Sequence, residues 1–563
     1  MKKHEEPVLL RTWRKISSPG VEEWFGKKFL KRDISEIVVY LAIICYALVF
    51  SYFTILKYNA FSAYAWDLGI FNQSFWTTIH SGKLFFSTIE QFISPTGVFF
   101  GTHFSPILFI VLPFYALTSS PHALLVFQSF ILALGAVPLY FFAKDALNNK
   151  TAAVAFSLLY LLYAPLQGVN WFDFHVQAFL PLFFFCTFYY LAKEKWPQYF
   201  LFVFLSLTVA ENVPVTVIFV GLYSFWRFRR PIFSALKARK LKEARLVVPV
   251  LTIAIAEAWT LFAGWIRQAY FPFNPVYTQL YKAVDNWSVL GVQGDPSRLP
   301  IYLITEPGRA LNAFTYDLPI KLIYLFMLFG PLLFLSFRSS IAAITLAWLV
   351  PALFSNYAPY YTIGDHFPAY IVVFIFLAAV EALKNGSKPK SNNRLKKFLA
   401  LPPLSTCIKL LLIVSLMFAV SVSPLSPTMT VLENRFPYFA DYHVPIVTKH
   451  EQILQEISNM VPANASVLTV NRIFAHFSSR LDAYAYPLDW VILRYNGTEL
   501  QSYVEGLFQK SQYVMTDDTT DHYTTGLILS RTQGASDYGL RAYGDGVSLF
   551  EKNYSGPTLY FDP

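Results

Sequence analysis

The chain has 563 residues, of which 55% are hydrophobic, 18% aromatic and only 14% charged, with a mean hydropathy of +0.42. Soluble domains carry about a quarter charged residues, so this composition excludes an ordinary soluble protein and indicates one built into a membrane. The formal charge of +10 does not argue for nucleic acid, because basic loops in such chains report orientation.

Residues 1–33 are basic and precede an apolar run over about 34–57 that lacks a small-residue cleavage site. The run reads as a retained anchor with the basic segment on the cytoplasmic side, which sends residues 58–102 to the outer face. Residues 104–117 are apolar but short, with Pro106 and Pro113, and predict a helix lying at the outer interface. Further crossings are expected over about 123–142, 151–165 and 176–192, with an outer loop at 167–175. Residues 199–210 and 215–226 are each short and are separated by Glu211-Asn212-Val213-Pro214. They read as two short spans or as one broken re-entrant pair.

The run Arg227, Arg229, Arg230, Lys237, Arg239, Lys240, Lys242, Arg245 returns the chain inside. Crossings over about 246–265, 318–337, 341–354, 367–383 and 410–422 follow, with a long outer segment at 267–316 and a basic inner linker at 384–409. Most of the 45 Lys and Arg residues fall in the predicted inner segments, which fixes the orientation. The chain is therefore expected to be a polytopic α-helical protein of the cell membrane with about eleven spans over 34–426 and its N-terminus in the cytoplasm. Cys45, Cys186 and Cys407 lie in or beside apolar segments and predict no disulfide framework.

Residues 427–563 differ in kind. They are polar, with strand-like runs at 465–470, 512–515 and 547–550, a helical run at 449–460, and a Gly544-Asp545-Gly546 turn. This pattern predicts a C-terminal extracytoplasmic α/β domain large enough for its own core.

The topology places the unusual polar residues of the membrane part on one face: Asp67, His80, Glu90, His103, Asp173, His175, Glu211, Asp365 and His366. Carboxylates and histidines gathered at one membrane boundary point to a functional site there. Asp67 reads either as a helix N-cap for the run at 68–79 or as a catalytic group. Asp173-Phe174-His175 and Asp365-His366, with Asp67 or His103, would suit a divalent metal, or else are interfacial residues bonded to the backbone. Glu211 lines the site or satisfies backbone freed at Pro214. No Gly-x-Ser-x-Gly, Walker loop or His-Glu-x-x-His is present. A carboxylate beside outer-face cations such as Arg267, Lys282, Arg298, Arg309 and Lys321 suits transfer from a lipid-phosphate donor.

The segments Trp66-Asp67-Leu68-Gly69-Ile70-Phe71-Asn72-Gln73, His103-Phe104-Ser105-Pro106, Asp173-Phe174-His175-Val176-Gln177 and Glu211-Asn212 resemble a prokaryotic membrane-protein family known as domain of unknown function 2079. The resemblance extends to 462–487, with His476-Phe477-Ser478-Ser479-Arg480. That family is similar to the C-type glycosyltransferase (GT-C) superfamily, whose members carry an acid in the first outer loop and use polyprenyl-phosphate sugars. The resemblance implies a glycosyltransferase acting at the outer face with Asp67 as base. His103, Asp173, His175, Glu211, Asp365 and His366 would line the site, with Arg267, Lys282 and Arg309 as phosphate contacts. Asp67-Leu68-Gly69 departs from a paired-acid motif, which puts metal dependence in doubt. A transporter or lipid flippase, or a non-catalytic cell-surface assembly protein, is the alternative.

Overall fold

The computed structural model describes residues 33–562 apart from 275–276, 279–285, 293–295, 387–400, 433–440, 495–496 and 535–536. Helix α1 (Ile34–Asn59) begins at Asp33, whose side chain accepts from Ser35 N–H. It buries Val39, Ile43, Tyr46, Ala47, Phe50 and Thr54 at helical spacing, while Ile34, Leu41, Ile44, Leu48 and Tyr52 stay exposed. A helix apolar on both its inward and outward faces is one made to lie against lipid.

A loop leads to a π-helical turn (Ala65–Gly69) and then to α2 (Ile70–His80). Helix α3 (Leu108–Tyr115) is short, as its prolines require, and buries Leu108, Val111 and Tyr115 while exposing Phe109, Ile110 and Phe114. The next helices, α4 (Pro121–Leu134) and α5 (Ala136–Leu147), run on as one apolar length. They are followed by α6 (Lys150–Leu161) and α7 (Ala164–Trp171), bent by 44°. Then come α8 (Leu180–Ala192), α9 (Trp196–Leu207), α10 (Val213–Lys237) and α11 (Ala244–Tyr270), the last two packed along each other.

Further along the chain lie α12 (Pro307–Thr315), α13 (Leu318–Phe329), α14 (Leu346–Leu353), α15 (Val372–Gly386) and α16 (Leu404–Val422). Among the described residues four helices are long and apolar enough to cross a membrane alone, or six if each bent pair is one span. The expected count of about eleven spans is not confirmed by helix length and composition. Gly330-Pro331 ends α13 in a 3-10 turn, and a second 3-10 stretch over Ser340–Thr345 precedes α14, which carries Pro351 inside it. The segments 199–210 and 215–226 are two separate helices, the second continuing to Lys237.

The C-terminal part holds a six-stranded sheet in the order β2-β1-β3-β5-β4-β6. Its strands are β1 (Val467–Thr469), β2 (Ala483–Ala485), β3 (Tyr513–Asp517), β4 (Tyr538–Gly544), β5 (Val547–Lys552) and β6 (Leu559–Tyr560). β1 runs parallel to β2 and β3, whereas β5 is antiparallel to β3 and β4. Helix α17 (Lys449–Asn459) starts in a Thr448/Glu451 capping box, and α18 (Asn471–Phe477) follows β1 directly. Core residues from the two parts merge: Leu68 and Phe71 belong to one buried cluster with Phe474 and Phe477.

Candidate functional site

Asp67 sits inside the π-helical turn, not at either capping position. Tyr64 stands before the turn and Gly69 before α2, and neither makes a side-chain cap. The helix-cap reading of Asp67 therefore does not account for its place. A π turn carries one residue more than an α turn and often marks a functional site.

Asp67 Oδ1 lies 3.3 Å from His175 Nε2. The other ring nitrogen, Nδ1, contacts the Asp173 carbonyl at 3.0 Å. A carbonyl only accepts, so Nδ1 carries a hydrogen. Burial opposes charge on His175, but the Asp67 carboxylate outweighs it and raises the imidazole above its ordinary range. The His175 ring stacks on His366 at 4.1 Å and 7°. Burial and the neighbouring His175 hold His366 below its ordinary range, so of the two stacked rings a proton is favoured on His175. His366 Nδ1 is 2.7 Å from Asp365 Oδ1, and that oxygen also accepts from the His366 backbone N–H.

Local sequence explains these placements. Gly168 lets the 363–366 loop lie directly on α7, because a Cβ there would come within 1.8 Å of the Ile363 carbonyl oxygen. Gln128, on α4, accepts the His175 N–H at 2.7 Å and donates toward the carbonyls of Phe172 and Asp173. Asp173 turns from the histidines toward Lys57 Nζ at 3.0 Å and accepts the Tyr64 N–H at 2.7 Å. Burial pushes its carboxyl up, and the Lys57 ammonium opposes that. The Tyr64 hydroxyl bonds Asp441, which also pairs with Arg472 at 2.7 Å. A cavity of about 240 Å³ opens here, with Lys57, Tyr64, Trp171, Phe172, Asp365 and Asp441 in its wall.

Asp67, Asp173, His175, Asp365 and His366 thus share one neighbourhood. His103 and Glu211 form another. His103 Nδ1 meets Glu211 Oε1 at 2.8 Å, and Thr102 bonds the buried Glu90. Arg267 donates to the Gly101 carbonyl at 3.2 Å. Burial raises the Glu90 carboxyl to about 8, which keeps it protonated at neutral pH. Burial also opposes ionisation of Glu211, but the His103 imidazolium overcomes it and brings the carboxyl down to about 2. Phe71 and Phe99 stand between the neighbourhoods, Phe71 against His175 and Phe99 against His103. Arg309 is exposed on α12 beside Gly291, and Lys282 lies outside the described residues. Among the described residues no three His, Cys, Asp or Glu side chains gather in a way that could hold a metal ion.

Lys57, Tyr64, Gln128, Asp441 and Arg472 are additions that the sequence did not single out. Lys57 was readable only as the polar end of a span. The one signal available was a lysine ten residues before Asp67, at the end of an apolar run.

The family described as "Predicted membrane protein (DUF2079)" matches residues 57–549, and the chain belongs to it. No curated protein matches the sequence. Two solved structures are similar in outline. ArnT from Cupriavidus metallidurans bound to undecaprenyl phosphate is 14% identical with a TM-score of 0.47, over 92% of this chain and 99% of that one. The same protein in the apo state is 14% identical with a TM-score of 0.43, over 86% and 93%. Likenesses of that order assign no residue a role.

Proposed function

We propose that this membrane protein is a GT-C-like glycosyltransferase that moves a sugar from a polyprenyl-phosphate donor to an acceptor hydroxyl at the outer face. The observation that carries this reading is the Asp67–His175 pair, 3.3 Å apart and close to a cavity walled by aromatic rings and charged groups. The sequence resemblance to a superfamily with an acid in its first outer loop supports the same reading. Asp67 takes the acceptor proton as the acceptor oxygen bonds the anomeric carbon. The bond from that carbon to the phosphate oxygen breaks, and polyprenyl phosphate departs with the electron pair. His175 steadies the carboxyl group through the transfer, and His366 supports the imidazolium by stacking. Lys57, in the cavity wall, is placed to meet the departing phosphate. Arg267 and Arg309 are the cations this reading assigns to the lipid phosphate.

Asp67→Asn keeps size and hydrogen bonding but cannot take a proton. Loss of a general base costs about a hundred- to ten-thousand-fold in rate. The measurement is transfer from a panel of polyprenyl-phosphate sugars by the purified protein, paired with surface glycan in a deletion strain. Full rescue by normally expressed Asp67→Asn would remove the carboxylate from the reaction.

The reading also requires Asp67 to face outward. Cysteine labels at the exposed Lys237 should be reached only from the cytoplasm, and labels at the exposed Lys83 and Thr498 only from outside. Outward labelling at Lys237 would reverse the loops and end the proposal.

A further inference from the structure

The turn that presents Asp67 begins with an orphan donor. The first N–H groups of any helical turn have no intrahelical acceptor and are normally met by the residue just before them. Tyr64 occupies that position and offers no side-chain bond. The Ala65 N–H instead reaches Asn471 Oδ1 at 3.0 Å, a partner 406 positions further along the chain. Asn471 is the first residue of α18, at the carboxyl end of β1, and Val470 occupies the capping position of that helix.

The contact is one of a set. Gly69 has no Cβ, and one placed there would meet the buried Phe474 ring at 2.6 Å, so α18 lies against the turn as closely as a backbone permits. Asn72 Nδ2 donates to Ser478 Oγ at 2.8 Å and Ser479 Oγ at 3.0 Å. Gln73 Nε2 donates to the carbonyls of Arg480, Leu481 and Ala483 at 3.1–3.3 Å. On the other side of the turn His476 stacks between Tyr58 and Phe61, at 4.2 and 3.8 Å, with Nε2 on the Tyr58 carbonyl at 2.9 Å. The segment from Tyr58 to Gln73 is thus gripped before, at and after Asp67 by residues 471–483.

A π turn is rare and poorly self-supporting. If it relaxes to α geometry, the residues before it rotate by about 100° for the one residue lost. That rotation would carry Asp67 away from His175.

We infer that Asn471 is a positioning residue for Asp67, capping its turn from the C-terminal α/β part, with α18 as the brace. The role matters to catalysis only if Asp67 is the base proposed above, so the test separates the two. The full chain in nanodiscs is compared as wild type, Asn471→Ala and Asn471→Asp. The aspartate keeps an acceptor oxygen for the Ala65 N–H, and the alanine does not.

The first readout needs no substrate: the titration of His175, followed by NMR of labelled histidines and assigned with His175→Gln. Asn471→Ala should return His175 toward its ordinary value, and Asn471→Asp should preserve the raised one. An unmoved titration in Asn471→Ala would overturn the inference, whatever the protein catalyses. The second readout is transfer from the donor panel, where Asn471→Ala should lose about a hundredfold, the cost of a misplacement of about 1 Å, and Asn471→Asp should recover most of it. A moved titration with turnover intact in both Asn471→Ala and Asp67→Asn would keep the cap and discard Asp67 as base. Should Asn471→Ala fail to fold, hydrogen exchange on the wild type decides. The Ala65 amide should be protected like the sheet amides, and exchange as fast as an exposed loop would overturn the cap.

Discussion

Two acid–histidine neighbourhoods lie toward the same end of this protein, and they are built in opposite senses. In the first the histidine is the more hidden partner, with side-chain exposure of 11% for His175 against 23% for Asp67. In the second the acid is the more hidden one, at 29% for Glu211 against 50% for His103, with Glu90 fully buried behind it. A carboxylate that stays reachable while its imidazole is fixed from behind can serve an incoming hydroxyl. Carboxylates that sit behind an open imidazole can only adjust that imidazole. The difference teaches that composition alone does not separate a reactive pair from a supporting one; the order of burial does.

The sharpest way to break this comparison is to neutralise the acid of each pair. Asp67→Asn should cost about a hundred- to ten-thousand-fold in transfer, whereas Glu211→Gln should cost less than tenfold, roughly the effect of a shifted contact. Equal losses in the same assay would erase the distinction.

Next in size is the ion pair behind the first neighbourhood. Lys57→Met strands the buried Asp173 and should destabilise the protein by about 3–5 kcal/mol in denaturant titration. Lys57→Met combined with Asp173→Asn should recover most of that loss. A Lys57→Met protein as stable as wild type would show the pair to be dispensable.

Two pH measurements sharpen the contrast further. The His175 imidazole is raised, so its contact with Asp67 contributes fully below the ordinary imidazole value and is lost as pH rises through the raised one. Thermal unfolding of His175→Gln should therefore be flatter than wild type on the alkaline side. Glu90 is raised from 4.5 to about 8, so the native state binds more protons than the unfolded chain between those values, and stability falls as pH rises through them. Glu90→Gln should remove that fall with the smallest change in transfer of any variant here. A steeper fall in Glu90→Gln would contradict a protonated Glu90.

Much of this arrangement was legible from residues alone, because composition and alternation are local signals. The helical run at 449–460, the β1, β3 and β5 strands and the Gly544-Asp545-Gly546 turn follow from patterns a few residues long. So does the short helix around Pro113. Span continuity was not legible, since Gly330-Pro331 ends a helix without making the flanking residues less apolar. The length of α10 was hidden in the other direction, its last turns being too basic to look like part of an apolar span. The neighbourhood of Asp67 was only half legible. Asp173, His175, Asp365 and His366 announce themselves by type, but Asn471 and Arg472 follow a strand in an ordinary polar sequence. Nothing local ties Asn471 to a backbone amide 406 residues earlier.

That separation has a consequence for how the protein is made. A ribosome adding about 5–20 residues per second delivers the Asp67 turn roughly 20–80 s before it delivers Asn471. During that interval the nascent loop has its acid but no partner for the Ala65 amide, and no ring to fill the space beside Gly69. The site is thus completed late, only once the residues that follow β1 have been made. A truncated or stalled product carries an unfinished turn, so completion of synthesis itself becomes the quality control on the reactive group.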